Sequence, residues 1–357
     1  MKVLVMHAGQ DAQDYYRVRE PLHAIRESGY DVEIETVRGI ATTVRPSATG
    51  GEGEVIAADA RGADVVVLQL PKTEAMLQTI RVLQADGVAV VVEMDDLLSA
   101  VPFGHLAHQA LVRRGMGRKA AECARAADLV TTTTPALLEE YAPHGRGVTI
   151  PNAIPRRIAE LPPAYERRPD VVTVGWTGSV ATHPYDLQEM GSGLQQALAA
   201  TRGRSRFMVI GQKENATALL GLSEEPEETG WMDGVDPYVA AVGDHLDIGV
   251  APLRIDRFNT CKSWLKAIEY SARGVPFVRS PSAEYERLGL GWRAKSAKDW
   301  GKALSTFVRD RDRRIESAVQ AREVVLDRHL TEHTAELWVG AWRQAADHRA
   351  RSQRKYA

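Results

Sequence analysis

The segment from Phe258 to Tyr270 contains the residue types that bind a diphosphate group. It reads FNTCKSWLKAIEY and follows an apolar run that is typical of a strand. We predict a helix whose first turn holds Lys262 and Ser263, because a lysine beside the free amides of a helix N-terminus favours an anion. Lys262, Lys266 and Glu269 then share one helix face, where Glu269 is placed to accept hydrogen bonds from the vicinal hydroxyls of a ribose. An exposed helix face with a Lys-Glu pair explains the same spacing equally well.

Three carboxylates follow a different apolar run. Glu93, Asp95 and Asp96 come at the carboxyl end of the run from Val88 to Val92. Functional carboxylates gather at this end of the strands in open α/β sheets. We expect these residues to bind an acceptor or to act as a base, with Asp95 and Asp96 as the catalytic pair. Helix capping and loop hydrogen bonds are the alternative.

Further candidates lie in the same half of the chain. Tyr16 and Arg17 follow the first apolar run, and we expect Arg17 to bind a phosphate or an acceptor, or else to pair with Glu20. His105 and His108 come after the two aspartates in the sequence. Each either faces a ligand or is an ordinary surface histidine.

Two metal-like patterns are present, and we expect neither to bind a metal. His329 and His333 belong to an HxxEH string, which we expect to lie on a solvated helix face. Asp310-Arg311-Asp312 is formally a DxD motif, but it lies in an arginine-rich helical stretch and is expected to form a charge-paired surface. The phosphate-binding patterns GxxxxGK[ST] and GxGxxG are absent from the expected positions, which argues against P-loop enzymes and dehydrogenases.

Length and composition indicate a folded protein of two domains. The chain has 357 residues, of which 44% are hydrophobic and 26% charged, as in ordinary globular proteins. The net charge of -2 provides no overall field for a polyanion, and two cysteines cannot form a disulfide framework. No run reaches the roughly 18 apolar residues of a membrane span. We therefore expect a soluble, cytoplasmic protein.

Short β-branched runs alternate with longer stretches of helical spacing, which predicts α/β architecture with buried parallel sheets. The alternation stops at a proline-containing segment, 150–163, and then restarts. We predict two doubly wound, Rossmann-like domains that face each other across a cleft: residues 1–155 and residues 165–325. The helix at about 330–357 contains Trp338 and Trp342 and is expected to cross back to the first domain.

The string N-x-x-K-S-x-x-K-x-x-E-Y at 259–270, with G-x-P-x-x-x-S at 274–280, resembles the donor-binding helix of GT-B glycosyltransferases. The resemblance is to the bacterial and phage group 1-like relatives of family 4. A second string, Val174 to Ser179 followed by His183 and Asp186-Leu187, is similar to the first strand and loop of that family's C-terminal domain. Weaker matches at 16–22, 93–96 and 150–152 follow in family order.

The resemblance implies transfer of a sugar from a nucleotide-diphosphate sugar to a hydroxyl acceptor. A UDP-sugar is the first expectation and a GDP-sugar the second, with retention of configuration, no metal and no tightly bound cofactor. Cys261 departs from the family pattern, because many members have a glutamate at that position near the sugar. The implied donor-binding residues are Gly178, Ser179, His183, Trp231, Asn259, Lys262, Ser263, Lys266 and Glu269. Lys262 is also expected to be catalytic, and the implied acceptor-binding residues are Tyr16, Arg17, Glu93 and His105.

Other readings stay open from the sequence. Trp231 either packs beside the base or fills the core. A GT-B-like epimerase or phosphorylase would use the same nucleotide or phosphate site, and a non-catalytic nucleotide-sugar-binding protein would fit the altered Cys261 position. The acceptor can be a protein, a glycan, a small molecule or modified DNA, and the basic tail from Arg343 to Lys355 does not decide among them. The oligomeric state is likewise open.

Overall fold

The fold is described from a computed structural model. It describes residues 1–9, 12–48, 50–51 and 53–356, and only the backbone of Lys355 and Tyr356. Ala357, the last residue of the predicted terminal helix, lies outside the described residues.

The strands are short and mostly β-branched. In chain order they are β1 Lys2–Met6, β2 Glu33–Val37, β3 Thr42–Arg45, β4 Glu54–Ala58, β5 Val65–Gln69, β6 Ala89–Met94, β7 Leu129–Thr132, β8 Gly147–Thr149, β9 Val172–Ser179, β10 Ser205–Gln212, β11 Glu227–Glu228, β12 Ile248–Ala251, β13 Phe277–Arg279 and β14 Trp292–Arg293.

Helices separate most of the strands. They are α1 Ala12–Asp14, α2 Glu20–Glu27, α3 Glu74–Ala85, α4 Met116–Ala126, α5 Pro135–Tyr141, α6 Arg156–Ala159, α7 Gly193–Ala200, α8 Ala216–Leu220, α9 Val235–His245, α10 Arg257–Thr260, α11 Leu265–Ala272, α12 Ala283–Leu288, α13 Ala297–Arg309, α14 Arg311–Arg328 and α15 Ala335–Tyr356. A π-helical segment, Tyr15–Arg19, joins α1 to α2. None of the described helices combines the length and the apolar character that crossing a lipid bilayer requires.

The first compact unit consists of residues 1–101, 107–151 and 332–357. Its described residues form a six-stranded parallel sheet in the order β2-β1-β5-β6-β7-β8. Every residue of β5 and β6 is buried, which explains why these strands are continuous valine-rich runs without alternation. The carboxyl ends of the parallel strands lie at one edge of this sheet, where Asp95 and Asp96 follow β6.

Helix α15 completes the core of this unit. Trp338 and Trp342 are 2% and 1% exposed, and both pack in a cluster with residues of β1, β5 and β6. Arg349 of the same helix donates from Nε to Oδ1 of Asp128 at 3.0 Å, which compensates a carboxylate buried just before β7. One residue of the basic tail, Arg349, therefore forms a contact within the first unit.

The second compact unit consists of residues 102–106 and 152–331. Its described part contains a second six-stranded parallel sheet, in the order β11-β10-β9-β12-β13-β14. The core on one face contains Trp176 of β9 and Trp300 of α13, both fully buried. Helices α7 and α13 approach closely because Gly193 has no side chain; a Cβ there would lie 2.4 Å from the Ala297 carbonyl oxygen.

The alternation of strands and helices matches the prediction, and the differences are local. Strand β9 continues to Ser179, the last residue of the string that resembles the family's first strand and loop. The sequence did not indicate the exposed antiparallel hairpin of β3 and β4, nor the edge strands β8, β11 and β14, which have three, two and two residues. Such short strands contain too few residues to show a period of two.

We expect Trp342→Ala to destabilise the protein by about 3–5 kcal/mol, because a buried tryptophan leaves a large cavity. Leu337→Ala on the same helix is the control, since Leu337 is 41% exposed; its cost is expected to stay below about 1 kcal/mol. Urea unfolding followed by circular dichroism measures both. Equal destabilisation by the two variants would contradict the packing described for α15.

Candidate functional site

Two glycines lie near the carboxyl ends of neighbouring strands in the second unit. Gly178 on β9 and Gly211 on β10 are paired in register and have φ angles of +127° and +124°. A Cβ on Gly211 would lie 2.1 Å from the Gly178 carbonyl oxygen, so no other residue fits there without displacing the backbone. The two strand ends therefore approach each other closely through their backbones at these glycines.

Lys266 of α11 lies next to Gly178. Its Nζ is 5.2 Å from the centroid of the Trp176 ring, and a Cβ placed on Gly178 would be 3.6 Å from the same Nζ. Within the described part of the chain, this ammonium group has no carboxylate partner in an ion pair. Burial lowers the pKa of Lys266; the charge of Glu269 opposes this, and that of Lys262 adds to it. A cation in this position suits an anionic ligand.

The predicted helix around Lys262 is interrupted, which corrects the sequence-based expectation. Helix α10 ends at Thr260 and α11 starts at Leu265, so Lys262 and Ser263 lie in the turn that precedes α11 and not in its first turn. Asn152 contacts this turn twice. Its side-chain Nδ2 donates to Ser263 Oγ at 2.9 Å, and its backbone carbonyl accepts from the Trp264 indole at 3.1 Å. The ammonium of Lys262 lies 4.5 Å from the centroid of the Phe258 ring.

Glu269 is buried, so the alternative of an exposed Lys-Glu helix face is wrong. Glu269 is 3% exposed, and its Oε2 accepts from the hydroxyl of Tyr238 at 3.2 Å. Burial and the charge of Glu269 raise the pKa of Tyr238 well above its ordinary value, so the hydroxyl keeps its proton and donates. Glu269 thus already accepts from a hydroxyl, the kind of group that the resemblance assigned to a ribose.

Asp186, which accepts three hydrogen bonds in the site, was not among the predicted site residues. It is 4% exposed. Its Oδ1 accepts from the Arg254 amide at 3.0 Å and from Asn259 Nδ2 at 2.7 Å, and its Oδ2 lies 2.7 Å from His183 Nδ1. The only sequence signal was its position three residues after His183 in the motif of the first loop.

The protonation states of this cluster follow from burial and charge. Burial raises the pKa of Asp186, but the hydrogen bonds from His183 and the Arg254 amide, together with the charge of Lys262, outweigh it and lower the pKa. Burial lowers the pKa of His183 to about 4, since the hydrogen bond to Asp186 opposes this only partly and the charges of Lys266 and Lys262 add to it. At neutral pH, Asp186 is an anion and His183 is neutral.

Asn259 adds an unsatisfied acceptor to the cluster. Its side chain is 4% exposed, and its Oδ1 has no hydrogen-bond partner among the described residues. Asn259 lines a small cavity together with Tyr185, Asp186 and Phe258. A buried carbonyl oxygen without a partner is energetically costly, so a ligand or water that donates to it would be stabilised.

Ser179 and the following loop bind a carboxylate of the protein itself. The Ser179 hydroxyl donates to Glu214 Oε1 at 2.7 Å, and the Ala181 amide donates to Glu214 Oε2 at 2.9 Å. Glu214 is exposed and has a φ of +39°, which a residue with a side chain rarely adopts. Of these two donors, the Ser179 hydroxyl was predicted to bind a diphosphate and the Ala181 amide was not.

Trp231 is 70% exposed, so the alternative that it fills the core is wrong. His105 lies in the segment 102–106 of the second unit, with its ring 6.4 Å from that of Phe258. It is therefore a neighbour of the cluster described here and does not belong to the first unit, as its predicted acceptor role assumed. His108 bonds through Nδ1 to the Val101 carbonyl at 2.8 Å.

The predicted acceptor residues Arg17 and Glu93 form a buried ion pair in the first unit. Arg17 Nε donates to Glu93 Oε1 at 2.6 Å, and only 1% and 2% of the two side chains are exposed. Arg17 also donates to the Ile150 carbonyl at 2.7 Å, and the Thr131 hydroxyl donates to Glu93. Tyr16 is buried as well. In this conformation none of these three side chains offers a surface to an acceptor.

Asp95 and Asp96 remain at the carboxyl end of β6 and are partly exposed. Oδ1 of Asp95 accepts from Gln13 Nε2 at 3.2 Å, and the backbone carbonyl of Asp96 accepts from the Tyr141 hydroxyl at 3.1 Å. Of the carboxylates predicted at this strand end, these two keep contact with solvent, whereas Glu93 does not.

The two metal-like motifs lie at the two ends of α14. Helix α14 ends at Arg328 and His333 lies in a 3-10 turn, so the HxxEH string does not form the predicted helix face. Asp310 caps α14 by accepting from the Arg313 amide at 3.0 Å. No group of three or more histidine, cysteine or carboxylate side chains with the arrangement of a metal site occurs among the described residues.

No protein-family model matches the chain, and no curated protein matches it by sequence. Solved structures match its fold. HepE from Anabaena, in complex with UDP and glucose, gives a TM-score of 0.65 at 14% identity, covering 95% of this chain and 98% of that chain.

Two further structures agree. WaaG, a glycosyltransferase involved in lipopolysaccharide biosynthesis, gives a TM-score of 0.59 at 13% identity, covering 94% of this chain and 99% of that chain. An α,α-trehalose-phosphate synthase (UDP-forming) from Burkholderia vietnamiensis gives 0.59 at 13% identity, covering 97% of each chain. The chain has the GT-B fold of these proteins, which confirms the predicted fold class.

We expect the imidazole of His183 to titrate with a pKa of about 4. The unfolded chain would take up this proton near the ordinary pKa of about 6.5, so His183 contributes stability above that pH that is lost as the pH falls towards 4. Side-chain NMR measures the midpoint, with the signal assigned by its loss in His183→Gln. A midpoint near 6.5 would show that His183 is not buried against Asp186 as described.

Proposed function

We propose that the chain is a glycosyltransferase that moves a sugar from a nucleotide-diphosphate sugar to a hydroxyl acceptor. The observation that carries this proposal is the ammonium of Lys266 beside the Gly178 strand end of a GT-B fold, with no ion-pair partner among the residues that the structure describes. Structures with this fold include one that contains UDP and glucose, which makes a UDP-sugar the preferred donor and a GDP-sugar the second. Transfer with retention of configuration is part of the proposal and follows from the family resemblance.

The chemistry requires positive charge near the leaving group. Breaking the bond between the anomeric carbon and the diphosphate oxygen leaves a diphosphate whose negative charge grows in the transition state. Lys266 is close enough to the strand end to neutralise that charge, and Lys262 precedes the N-terminus of α11, whose helix dipole favours an anion. Lys262 and Lys266 are thus proposed to stabilise the departing diphosphate, with no tightly bound cofactor.

Ser179 is proposed to bind the diphosphate through the donors that now hold Glu214. The carboxylate of Glu214 is bound by one hydroxyl and one backbone amide, which are also suitable donors for a phosphate oxygen. A diphosphate would displace Glu214, which is exposed and so returns to solvent at little cost. Ser263 and Glu269 complete the proposed nucleotide contacts, and Trp231 is exposed enough to stack on a base.

The acceptor side is proposed to depend on Asp95 and Asp96. They lie at the carboxyl end of β6 with part of their surface exposed, as a base that takes a proton from an acceptor hydroxyl requires. The burial of Tyr16, Arg17 and Glu93 favours a packing role for those three residues. The proposed hydroxyl acceptor is a protein, a glycan, a small molecule or modified DNA.

We expect Lys266→Met to lower kcat/KM for UDP-sugar turnover by about a hundredfold, the scale of losing one preorganised charge. Methionine keeps an apolar stem against Trp176, so folding should be preserved. Lys302→Ala on the exposed face of α13 is the control and should leave turnover unchanged. UDP release measures the rate, with water as acceptor until a better one is found. A loss below about threefold would contradict the role of Lys266.

We expect EDTA to leave turnover unchanged, because Lys262 and Lys266 provide the charge that a metal ion supplies in DxD enzymes. The same UDP-release assay, run with EDTA and with added Mg²⁺, measures this. Abolition of activity by EDTA would contradict metal-independent transfer. Release of UDP only with an added acceptor would separate a transferase from an epimerase, and binding of UDP-sugars without release under any condition would favour a non-catalytic binding protein.

A further inference from the structure

Asp186 joins three segments of the second unit. Its carboxylate accepts from His183 in the loop after β9, from the Arg254 amide after β12, and from the Asn259 side chain in α10. All three partners are donors to one buried group, so the position of each depends on the others. The contact thereby determines how His183 and Asn259 are oriented.

The carboxylate also determines which atoms the two side chains leave for a ligand. An ionised carboxylate only accepts hydrogen bonds, so the proton of the neutral imidazole must lie on Nδ1, and Nε2 keeps a lone pair. Likewise the amide group of Asn259 must turn its Nδ2 to Asp186, because the reverse orientation would place Oδ1 against the carboxylate. Both side chains are left with an acceptor: Nε2 of His183 and Oδ1 of Asn259.

Neither acceptor has a partner within the described residues. The side chain of His183 makes a hydrogen bond only through Nδ1 and a ring contact with Trp176 at 5.3 Å between centroids. Oδ1 of Asn259 is buried and unsatisfied beside the cavity that Tyr185 and Phe258 line. Two acceptors without donors match a ligand that brings hydroxyl hydrogens, and not a phosphate or carboxylate oxygen.

We propose that Asp186 is a positioning residue that aligns His183 and Asn259 as a pair of acceptors for hydroxyl groups of the donor sugar. The inference rests on the proposed function, since it names the part of the donor that this cluster recognises. It also accounts for Cys261, because sugar hydroxyls would be bound by Asn259 and His183 without the glutamate of the family pattern.

Asp186→Asn tests the inference with almost no change in shape. Two donors, the Arg254 amide and Asn259 Nδ2, meet the Oδ1 position, so the new carbonyl oxygen must take that position. The new NH₂ group then faces Nδ1 of His183 and moves the imidazole proton to Nε2. We expect ¹⁵N NMR to detect the Nδ1-H tautomer in the natural protein and the Nε2-H tautomer in the variant. An Nε2-H tautomer in the natural protein would overturn the inference.

Binding provides the second readout. Calorimetry would compare UDP with UDP-glucose, UDP-galactose and UDP-N-acetylglucosamine. We expect at least one UDP-sugar to bind more tightly than UDP, and Asp186→Asn to reduce that ratio of affinities about tenfold while leaving UDP affinity unchanged. Asn259→Ala, which removes the other acceptor, should reduce the same ratio and keeps the test valid if Asp186→Asn does not fold.

Asp247→Asn is the matched control. Asp247 is also a buried carboxylate of the second unit, accepting from the Thr173 amide at 2.8 Å and pairing with Arg167 at 3.0 Å. It should affect thermal stability and leave the ratio unchanged. An unchanged ratio in both Asp186→Asn and Asn259→Ala would refute the inference with the proposed function intact. Failure of the natural protein to bind UDP or any UDP-sugar would refute the proposed function, whatever the tautomer.

Discussion

The second unit depends on how one buried carboxylate is compensated. Asp186 is almost inaccessible to water, so its charge is tolerated only because protein donors replace the solvent. One of those donors, His183, lies three residues away, and the other two, Arg254 and Asn259, lie 68 and 73 residues away. The carboxylate therefore brings together the loop after β9, the loop after β12 and α10, and it determines the hydrogen-bonding character of what they present.

Buried charge has two kinds of role in this protein. In the first unit, Arg17 and Glu93 satisfy one another, and Asp128 is satisfied by Arg349, so these charges hold elements together. In the second unit, Lys266 is partly buried beside an aromatic ring and has Glu269 as a neighbour but no ion pair in the part of the chain described. A charge of the first kind is complete within the fold, whereas one of the second kind is available to an outside anion.

Much of the fold follows from local pattern, and much of the site does not. The valine-rich runs of β5 and β6 predict buried parallel strands because both faces are covered, and the spacing of Lys266 and Glu269 correctly indicates one helix. The turn between α10 and α11 is contacted by Asn152, which lies more than a hundred residues earlier and bonds to Ser263 at a separation of 111 positions. The role of Asp186 and the Arg17-Glu93 ion pair were not predicted for the same reason: residues distant in sequence become neighbours only after the sheet forms.

The position of α15 has a consequence for how the protein is made. The core of the first unit includes Trp338 and Trp342, and the charge of Asp128 is compensated by Arg349, so residues 1–151 leave apolar surface and a charge uncovered until those side chains arrive. On a ribosome, which releases the chain from the N-terminus, the strands of the first unit emerge early and must wait for the last helix. The second unit, continuous apart from residues 102–106, can close before then. The first unit thus begins to emerge before the second unit and is completed after it.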